Sequence, residues 1–139
     1  MLRRIGILAT LAVLAHGGTL VWAAQPTAEL ARLTQAAQQQ DPNFQPSSER
    51  GRTFYFTRFA HNSTMPSCSS CHGDDPRQEG RHTITGKRIK PLAPVANPER
   101  FTDSAKIAKW FRRNCTEVVG RECTLQEQAD LLAFLSTLR

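Results

Sequence analysis

The sequence predicts one small all-α domain. Several segments pair a helix-cap residue with apolar side chains at helical spacing, and no stretch shows the polar–apolar alternation of a half-buried strand. The chain has 139 residues and a formal net charge of +6. This length excludes a large two-domain enzyme, and a charge of this size does not by itself establish nucleic-acid binding.

Residues 1–24 have the pattern of a secretory signal peptide. Arg3 and Arg4 make the start positive, Ile5–Ala15 is an apolar run, and Ala23 and Ala24 suit a cleavage site. The apolar run is too short for a membrane span, which needs about 20 residues. We therefore expect a periplasmic protein whose mature chain has no membrane span and a net charge of +4, since both leader charges are positive.

Residues 25–46 are predicted to form an N-terminal extension that contains a weak helix. The composition favours helix, but only Leu30, Leu33 and Ala37 make an apolar stripe. The main domain is predicted to cover residues 47–139, because Ser47 lies before the next helical segment as a suitable cap.

Two helices of the main domain are expected to cross each other. The first follows Ser47 or Ser48 and carries aromatic side chains around Gly51, where the missing side chain allows another helix to approach closely. The last begins at Thr124, which has the capping-box spacing with Glu127. The leucine-rich sequence after it supplies the apolar partner face.

Residues 73–102 form a long segment rich in Gly, Pro and charge. Connections in compact domains are typically about 4–6 residues long, so a segment of this length needs an object to wrap. A third helix is predicted after it, capped by Thr102 or Asp103 and ending at about Asn114.

The strongest chemical signal is Cys68-Ser-Ser-Cys71-His72, because C-x-x-C-H is the attachment sequence of c-type haem. Two thiols on one turn form thioethers to the porphyrin, and His72 then binds the iron as the proximal ligand. The sequence therefore predicts one covalent haem c within a class I cytochrome c-like fold. The haem adds to a core that is poor in aromatic residues, and it gives the long segment an object to wrap.

Two other uses of the cysteines are possible in principle. A thioredoxin-like redox pair normally lies beside a βαβ pattern, which this sequence lacks. A zinc site would have to recruit Cys115 and Cys123, at a spacing that matches no common finger. In an exported protein a disulfide between Cys115 and Cys123 is the natural expectation.

The residues leave the sixth iron ligand open. Met1 lies in the leader, and Met65 is too near Cys68 to reach the far haem face. His82 is one candidate, and it would make the protein a plain low-spin electron carrier. Asn114 is another, because it continues the apolar stripe of the third helix, although Asn is also a common residue at helix C-termini.

Three segments together resemble the sphaeroides haem protein (SHP) family of monohaem cytochromes c. They are Cys68–His72, Gly86–Pro94, and the Arg-Asn-Cys and Arg-Glu-Cys elements that end at Cys115 and Cys123. The resemblance extends from about Ser47 to the end of the chain. The paired Arg-x-Cys elements are much more specific to this family than the haem-attachment motif.

The resemblance implies that Asn114 is the sixth ligand of a high-spin ferric haem. It also implies that this Asn leaves on reduction, that the ferrous site binds oxygen or nitric oxide, and that a dihaem cytochrome c is the electron donor. We therefore expect an electron-transfer and ligand-binding protein more than an enzyme. A small haem enzyme that reduces oxygen or peroxide is an alternative for which the sequence offers no distal acid or base.

We expect a redox partner protein and no nucleic-acid partner, because the haem propionates bring the modest positive charge closer to neutral. Several basic residues are predicted to form a rim near the haem that attracts an acidic partner. They are Lys87, Arg88, Lys90, Lys106 and Lys109.

Overall fold

The computed structural model describes residues 26–139, so the predicted signal peptide lies outside the described residues. This part of the chain is mainly helical, as predicted, with one very short hairpin. The helices are α1 (Pro26–Gln38), α2 (Ser48–Phe56), α3 (Ser69–His72), α4 (Ser104–Val118) and α5 (Leu125–Thr137), and the antiparallel strands are β1 (Gly80–Arg81) and β2 (Arg88–Ile89).

Helices α2 and α5 cross at Gly51, as the sequence predicts. A methyl group at Gly51 would overlap the carbonyl group of Asp130, so only glycine permits this approach. Tyr55 on α2 and Leu135 on α5 are almost fully buried in one apolar cluster. This crossing forms the core behind the candidate site.

An ion pair that the sequence does not reveal supports the same crossing. The carboxylate of Asp130 is buried and accepts hydrogen bonds from Arg50 Nε at 2.7 Å and Arg50 Nη2 at 2.8 Å. It also accepts the backbone N–H of Ser47 at 2.7 Å, just before α2 begins. A buried carboxylate needs such partners, and here they fix the start of α2 against α5.

Helix α1 packs on the opposite side of α5. Its stripe is narrow, but Leu33 and Ala37 are fully buried in a cluster that includes Leu132. Glu29 is buried as well, and it accepts hydrogen bonds from Arg32 Nη2 at 2.7 Å and Ser104 Oγ at 2.6 Å. The extension thus joins both α5 and the first turn of α4.

The predicted start of α5 is confirmed. Thr124 accepts the backbone N–H of Glu127 at 3.1 Å, and the Glu127 carboxylate accepts the backbone N–H of Thr124 at 2.8 Å. This reciprocal capping box satisfies two donors that the helix itself leaves free.

Helix α4 begins after Asp103, whose carboxylate accepts the backbone N–H of Lys106 at 3.0 Å. Its predicted end at Asn114 is wrong, because the helix continues to Val118. The amide of Asn62 donates to the Glu117 carbonyl at 3.2 Å and satisfies one acceptor of the last turn. No helix within residues 26–139 is both long enough and apolar enough to cross a membrane.

Candidate haem-binding site

The C-x-x-C-H residues form the short helix α3. Cys68 precedes its first residue, and the backbone N–H groups of Cys71 and His72 return to the Cys68 carbonyl at 3.3 and 3.1 Å. Both cysteines are free thiols and partly buried. The two sulfurs and the imidazole therefore come from a single turn, which is the arrangement that attachment to one porphyrin edge requires.

Three contacts hold this turn in place. The buried hydroxyl of Ser67 lies 2.9 Å from both the Ser69 and Ser70 hydroxyls. The Tyr55 hydroxyl donates to the Gly73 carbonyl at 2.7 Å, which ties the end of α3 to helix α2. Gly80 on β1 lies so close to the Cys71 carbonyl that any side chain there would overlap it.

Burial shifts the pKa of two groups on this turn, Cys68 and His72. It raises the pKa of the Cys68 thiol to about 11. Burial and the nearby charge of Arg100 together lower the pKa of His72 to about 4. At neutral pH the imidazole is therefore neutral, which is the form that binds a metal, and no group within the described residues forms a hydrogen bond with it.

Cys68 belongs to a set of apolar side chains that pack against the Tyr55 cluster and remain partly exposed; we call this set the apolar rim. Such a rim suits a flat apolar group that would cover the exposed surface. The partly buried members are Phe56, Cys68, Leu92, Phe101, Phe111 and Leu138.

Helix α4 presents an incompletely buried face. Ile107 is buried, whereas Trp110, one turn later, is 42% exposed. Asn114 continues this stripe and is also exposed, and its carboxamide makes no hydrogen bond to the part of the chain that the structure describes. Because α4 extends past it, Asn114 is not a helix cap, and that alternative interpretation is ruled out.

Cys115 and Cys123 form the predicted disulfide, with their Cα atoms 5.6 Å apart. The bond leaves no four-cysteine zinc site for Cys68 and Cys71. Among residues 26–139 no group of three or more His, Cys, Asp or Glu side chains is arranged to hold a bare metal ion. The same residues contain no βαβ unit of the thioredoxin type.

His82 has a structural role in the hairpin between β1 and β2. Its Nδ1 atom accepts the backbone N–H groups of Ile84 at 3.2 Å and Thr85 at 3.3 Å. This leaves only Nε2 for any metal, and the hairpin is fixed against α3 through Gly80.

The residues present fit a c-type haem. Two free thiols and a neutral imidazole lie on one turn, partly exposed apolar side chains pack on the same cluster as Cys68, and an unpaired carboxamide lies on α4. Sequence reasoning missed Tyr55 and Arg100, because each acts through contacts that only the folded chain creates. The one available signal was that Tyr55 is the single tyrosine of the chain.

Residues 41–135 match the family described as "Domain of unknown function (DUF1924)". The cytochrome c-type protein SHP of Cereibacter sphaeroides is 52% identical over 90 residues, which cover 64% of this chain and 69% of that protein. Cytochrome c'' of Methylophilus methylotrophus is 35% identical over 108 residues, which cover 76% of this chain and 75% of that protein.

Solved structures of the same two relatives match this chain in fold. Oxidised SHP, described as an oxygen-binding cytochrome c, superposes with a TM-score of 0.73 at 43% identity and covers 81% of this chain and 96% of its own. Oxidised cytochrome c'' gives a TM-score of 0.74 at 31% identity, with 83% and 95% covered. The match in both sequence and fold means that this chain belongs to the SHP family of c-type cytochromes.

Proposed function

We propose that the protein is a periplasmic monohaem cytochrome that transfers electrons and binds oxygen or nitric oxide when reduced. In this proposal Cys68 and Cys71 carry the haem, His72 is its proximal ligand and Asn114 is a displaceable sixth ligand. The related SHP is described as oxygen-binding, which supports the ligand class. When bound, the haem supplies one-electron chemistry and an iron site for a diatomic ligand.

The proposal depends most on the environment of the Asn114 side chain. It is an exposed carboxamide within a helix, with no hydrogen-bond partner among the described residues and no capping role. Asn lowers helix stability relative to Ala, so its place here favours a function for the side chain. A carboxamide is a neutral, weak donor, which suits a ligand that must leave.

The related cytochrome c'' supports a ligand that detaches, since its solution structure is described in terms of haem-ligand detachment. Its TM-score to this chain is 0.70 at 32% identity. The wide exposure of the Trp110 and Asn114 face in this chain is consistent with a distal side that opens.

Optical spectra of the holoprotein test the proposal. We expect a high-spin ferric spectrum, a clear change when CO is added after reduction, and an altered ferric spectrum in Asn114→Ala. Thr116→Ala is the matched control, because its exposed side chain lies two residues further along the same helix and bonds only to the Arg112 carbonyl. A low-spin wild type that changes in His82→Ala and not in Asn114→Ala would establish the plain carrier instead.

Covalent attachment has its own test. The intact mass of the wild type should include one haem that survives denaturation, and Cys68→Ser with Cys71→Ser should remove it. Replacing Cys115 and Cys123 by Ser should leave the covalent haem in place, because these residues form the separate disulfide. Haem retention by the variant without Cys68 and Cys71 would contradict the assignment.

We propose that the redox partner, a dihaem cytochrome c by family resemblance, docks on the α4 side. Lys106 and Lys109 are exposed there, and neither has an ion-pair partner within residues 28–139. Of the other predicted basic residues, Arg88 pairs with Glu79 and Lys90 Nζ lies 3.9 Å from Glu99, whereas Lys87 is exposed and has no ion pair among the described residues. Electron transfer from an acidic partner should slow as ionic strength rises, and Lys109→Glu should slow it further.

Export is proposed from the leader sequence and is consistent with the disulfide, since disulfides persist in oxidising compartments. Cell fractionation tests this point. Haem-containing protein in the periplasmic fraction, shortened by about 24 residues, is the expected result.

A further inference from the structure

Arg100 carries a positive charge that no carboxylate within residues 28–139 balances. Its guanidinium is about half buried, and burial lowers its pKa, although an arginine stays protonated in any case. Other arginines with buried partners are paired, as Arg50 is with Asp130 and Arg32 with Glu29. A partly desolvated cation without a counter-charge is costly, so its position calls for an anion.

The guanidinium is held in a fixed orientation. Its Nε donates to the Pro91 carbonyl at 2.9 Å, and its Nη2 donates to the Lys90 carbonyl at 2.8 Å. The Asn97 amide donates to the same Pro91 carbonyl at 3.1 Å. Guanidinium has five N–H donors, so three remain without a partner among the described residues.

Arg100 lies at the haem side of the molecule. Its Nε donates to the Pro91 carbonyl, and the following residue, Leu92, packs against the same apolar cluster as Cys68. The next residue, Phe101, has a left-handed backbone with φ of 61°, which is unusual for a bulky residue, and its ring packs against both core clusters. The packing of Phe101 anchors Arg100 next to the apolar rim.

The charge, orientation and position of the Arg100 guanidinium suit a carboxylate of the haem. We propose that Arg100 binds a haem propionate through its unused N–H groups, and that it thereby ties the segment from Lys90 to Arg100 to the edge of the cofactor. The inference rests on the proposed haem. A planar guanidinium is the side chain best suited to a carboxylate, because it donates two parallel hydrogen bonds.

The bound propionate would neutralise Arg100 in part and leave a positive field near the iron. Removal of the cation should favour the more positive, oxidised haem. Arg100 would therefore position the haem and tune its reduction potential. Both effects can be measured on the isolated holoprotein.

The experiment uses four holoproteins: wild type, Arg100→Met, Arg100→Lys and Arg121→Met. Arg121 is exposed and pairs with Glu127, so Arg121→Met removes the same charge from the surface. Intact mass first establishes covalent haem in each. The readouts are the reduction equilibrium of the haem and its propionate bending band in resonance Raman spectra.

We expect Arg100→Met to lower the equilibrium constant for reduction by about tenfold, equivalent to about 59 mV for one electron. Arg100→Lys should keep most of this equilibrium but shift the propionate band, because lysine cannot form the two parallel bonds. Arg121→Met should change the equilibrium less than about twofold, since surface charges are screened.

Equal potentials and equal propionate bands in wild type and Arg100→Met would overturn the inference, as would a shift no larger than that of Arg121→Met. If Arg100→Met does not fold, an unchanged propionate band in Arg100→Lys overturns it instead. A wild type without covalent haem would refute the proposed function itself, which separates the two failures.

Discussion

The two sides of the candidate haem site are built differently. On the α2–α5 side, Gly51 lets the helices touch, Tyr55 is fully buried and Asp130 has its hydrogen-bond partners. On the α4 side, Trp110 and Asn114 are exposed; the Arg113 guanidinium lies 5.5 Å from the centre of the Trp110 ring, and Asn114 has no hydrogen-bond partner among the described residues. Contacts within the protein therefore fix the attachment side, although its apolar rim stays partly exposed, whereas the α4 side is more exposed.

This difference suits a protein that holds its cofactor by permanent bonds on one side and by an exchangeable bond on the other. The turn that carries Cys68, Cys71 and His72 is held from three directions, by Ser67, Tyr55 and Gly80. The segment around Asn114 is held by Phe111, which packs against both core clusters, and after Asn114 by the disulfide and by Asn62. Variants on each side should therefore affect different properties.

The largest effect is expected from Gly51→Val on the rigid side. The new side chain would overlap the Asp130 carbonyl group, and the two helix backbones would have to separate. We expect a loss of about 3 kcal/mol or more in the free energy of unfolding. Urea unfolding measures it, with exposed Thr53→Ala on the same helix as the control, for which the change should stay within about 0.5 kcal/mol. Equal stabilities would show that the crossing is not tight.

Replacing both Cys115 and Cys123 by Ser should affect the α4 side. Loss of a short disulfide loop costs about 2–3 kcal/mol. The ferric spectrum should also become heterogeneous, because the bond begins at the residue after Asn114. Urea unfolding and optical spectra measure the two effects. A thiol count on denatured, unreduced wild type should find no free thiol at these positions, and two free thiols there would refute the pairing.

Glu29→Gln tests the link between α1 and α4. Burial raises the pKa of Glu29, but hydrogen bonds from Arg32 and Ser104 and the charge of Arg32 outweigh it, so the net pKa is lowered. A lowered carboxyl pKa stabilises the fold above the unfolded pKa of about 4.5, and the contribution is lost as pH falls through the folded pKa. We expect Gln to cost about 1–2 kcal/mol at pH 7, limited by the half-exposed Arg32.

The difference between wild type and Glu29→Gln should shrink as the pH falls below about 4.5, the ordinary pKa of a Glu carboxyl, because the unfolded chain binds a proton there that the folded carboxylate resists. Urea unfolding at pH 7 and pH 3.5 measures this. A difference that is the same at both pH values would contradict the role of the ionised Glu29.

The smallest effect is expected at the junction between the two sides. Thr124→Ala removes one half of the capping box that starts α5 directly after Cys123. The expected cost is about 0.5–1 kcal/mol, with no change in the haem spectrum, because the cap is exposed and lies outside the rim. A thermal melt and a ferric spectrum of the same sample test both statements, and a changed spectrum would show that the junction transmits strain to Asn114.

Local features were predictable because their signals lie within a few residues of each other. The cap at Thr124 and the attachment motif at Cys68–His72 follow from spacing alone. Two other caps were predicted to within one residue, and the structure has Ser47 and Asp103 at these positions. The crossing at Gly51 was also predictable, because a glycine within an aromatic face indicates close approach.

The features that were missed depend on distant partners. Arg50 and Asp130 are 80 residues apart, and nothing in the sequence pairs them. The end of α4 was placed too early because Asn114 resembles a cap, whereas Asn62 and the disulfide support one further turn. The hairpin escaped prediction because strands of two residues are too short to show alternation.

The position of Asn114 inside α4 sets the time scale of the proposed exchange. The helix continues to Val118, so the backbone of Asn114 is part of a continuous ladder of hydrogen bonds. Its carboxamide can then leave by rotation about two side-chain bonds, which takes picoseconds to nanoseconds in exposed residues, whereas local unfolding takes microseconds or longer. We therefore expect amide hydrogen exchange in α4 to be similar in the oxidised and reduced protein.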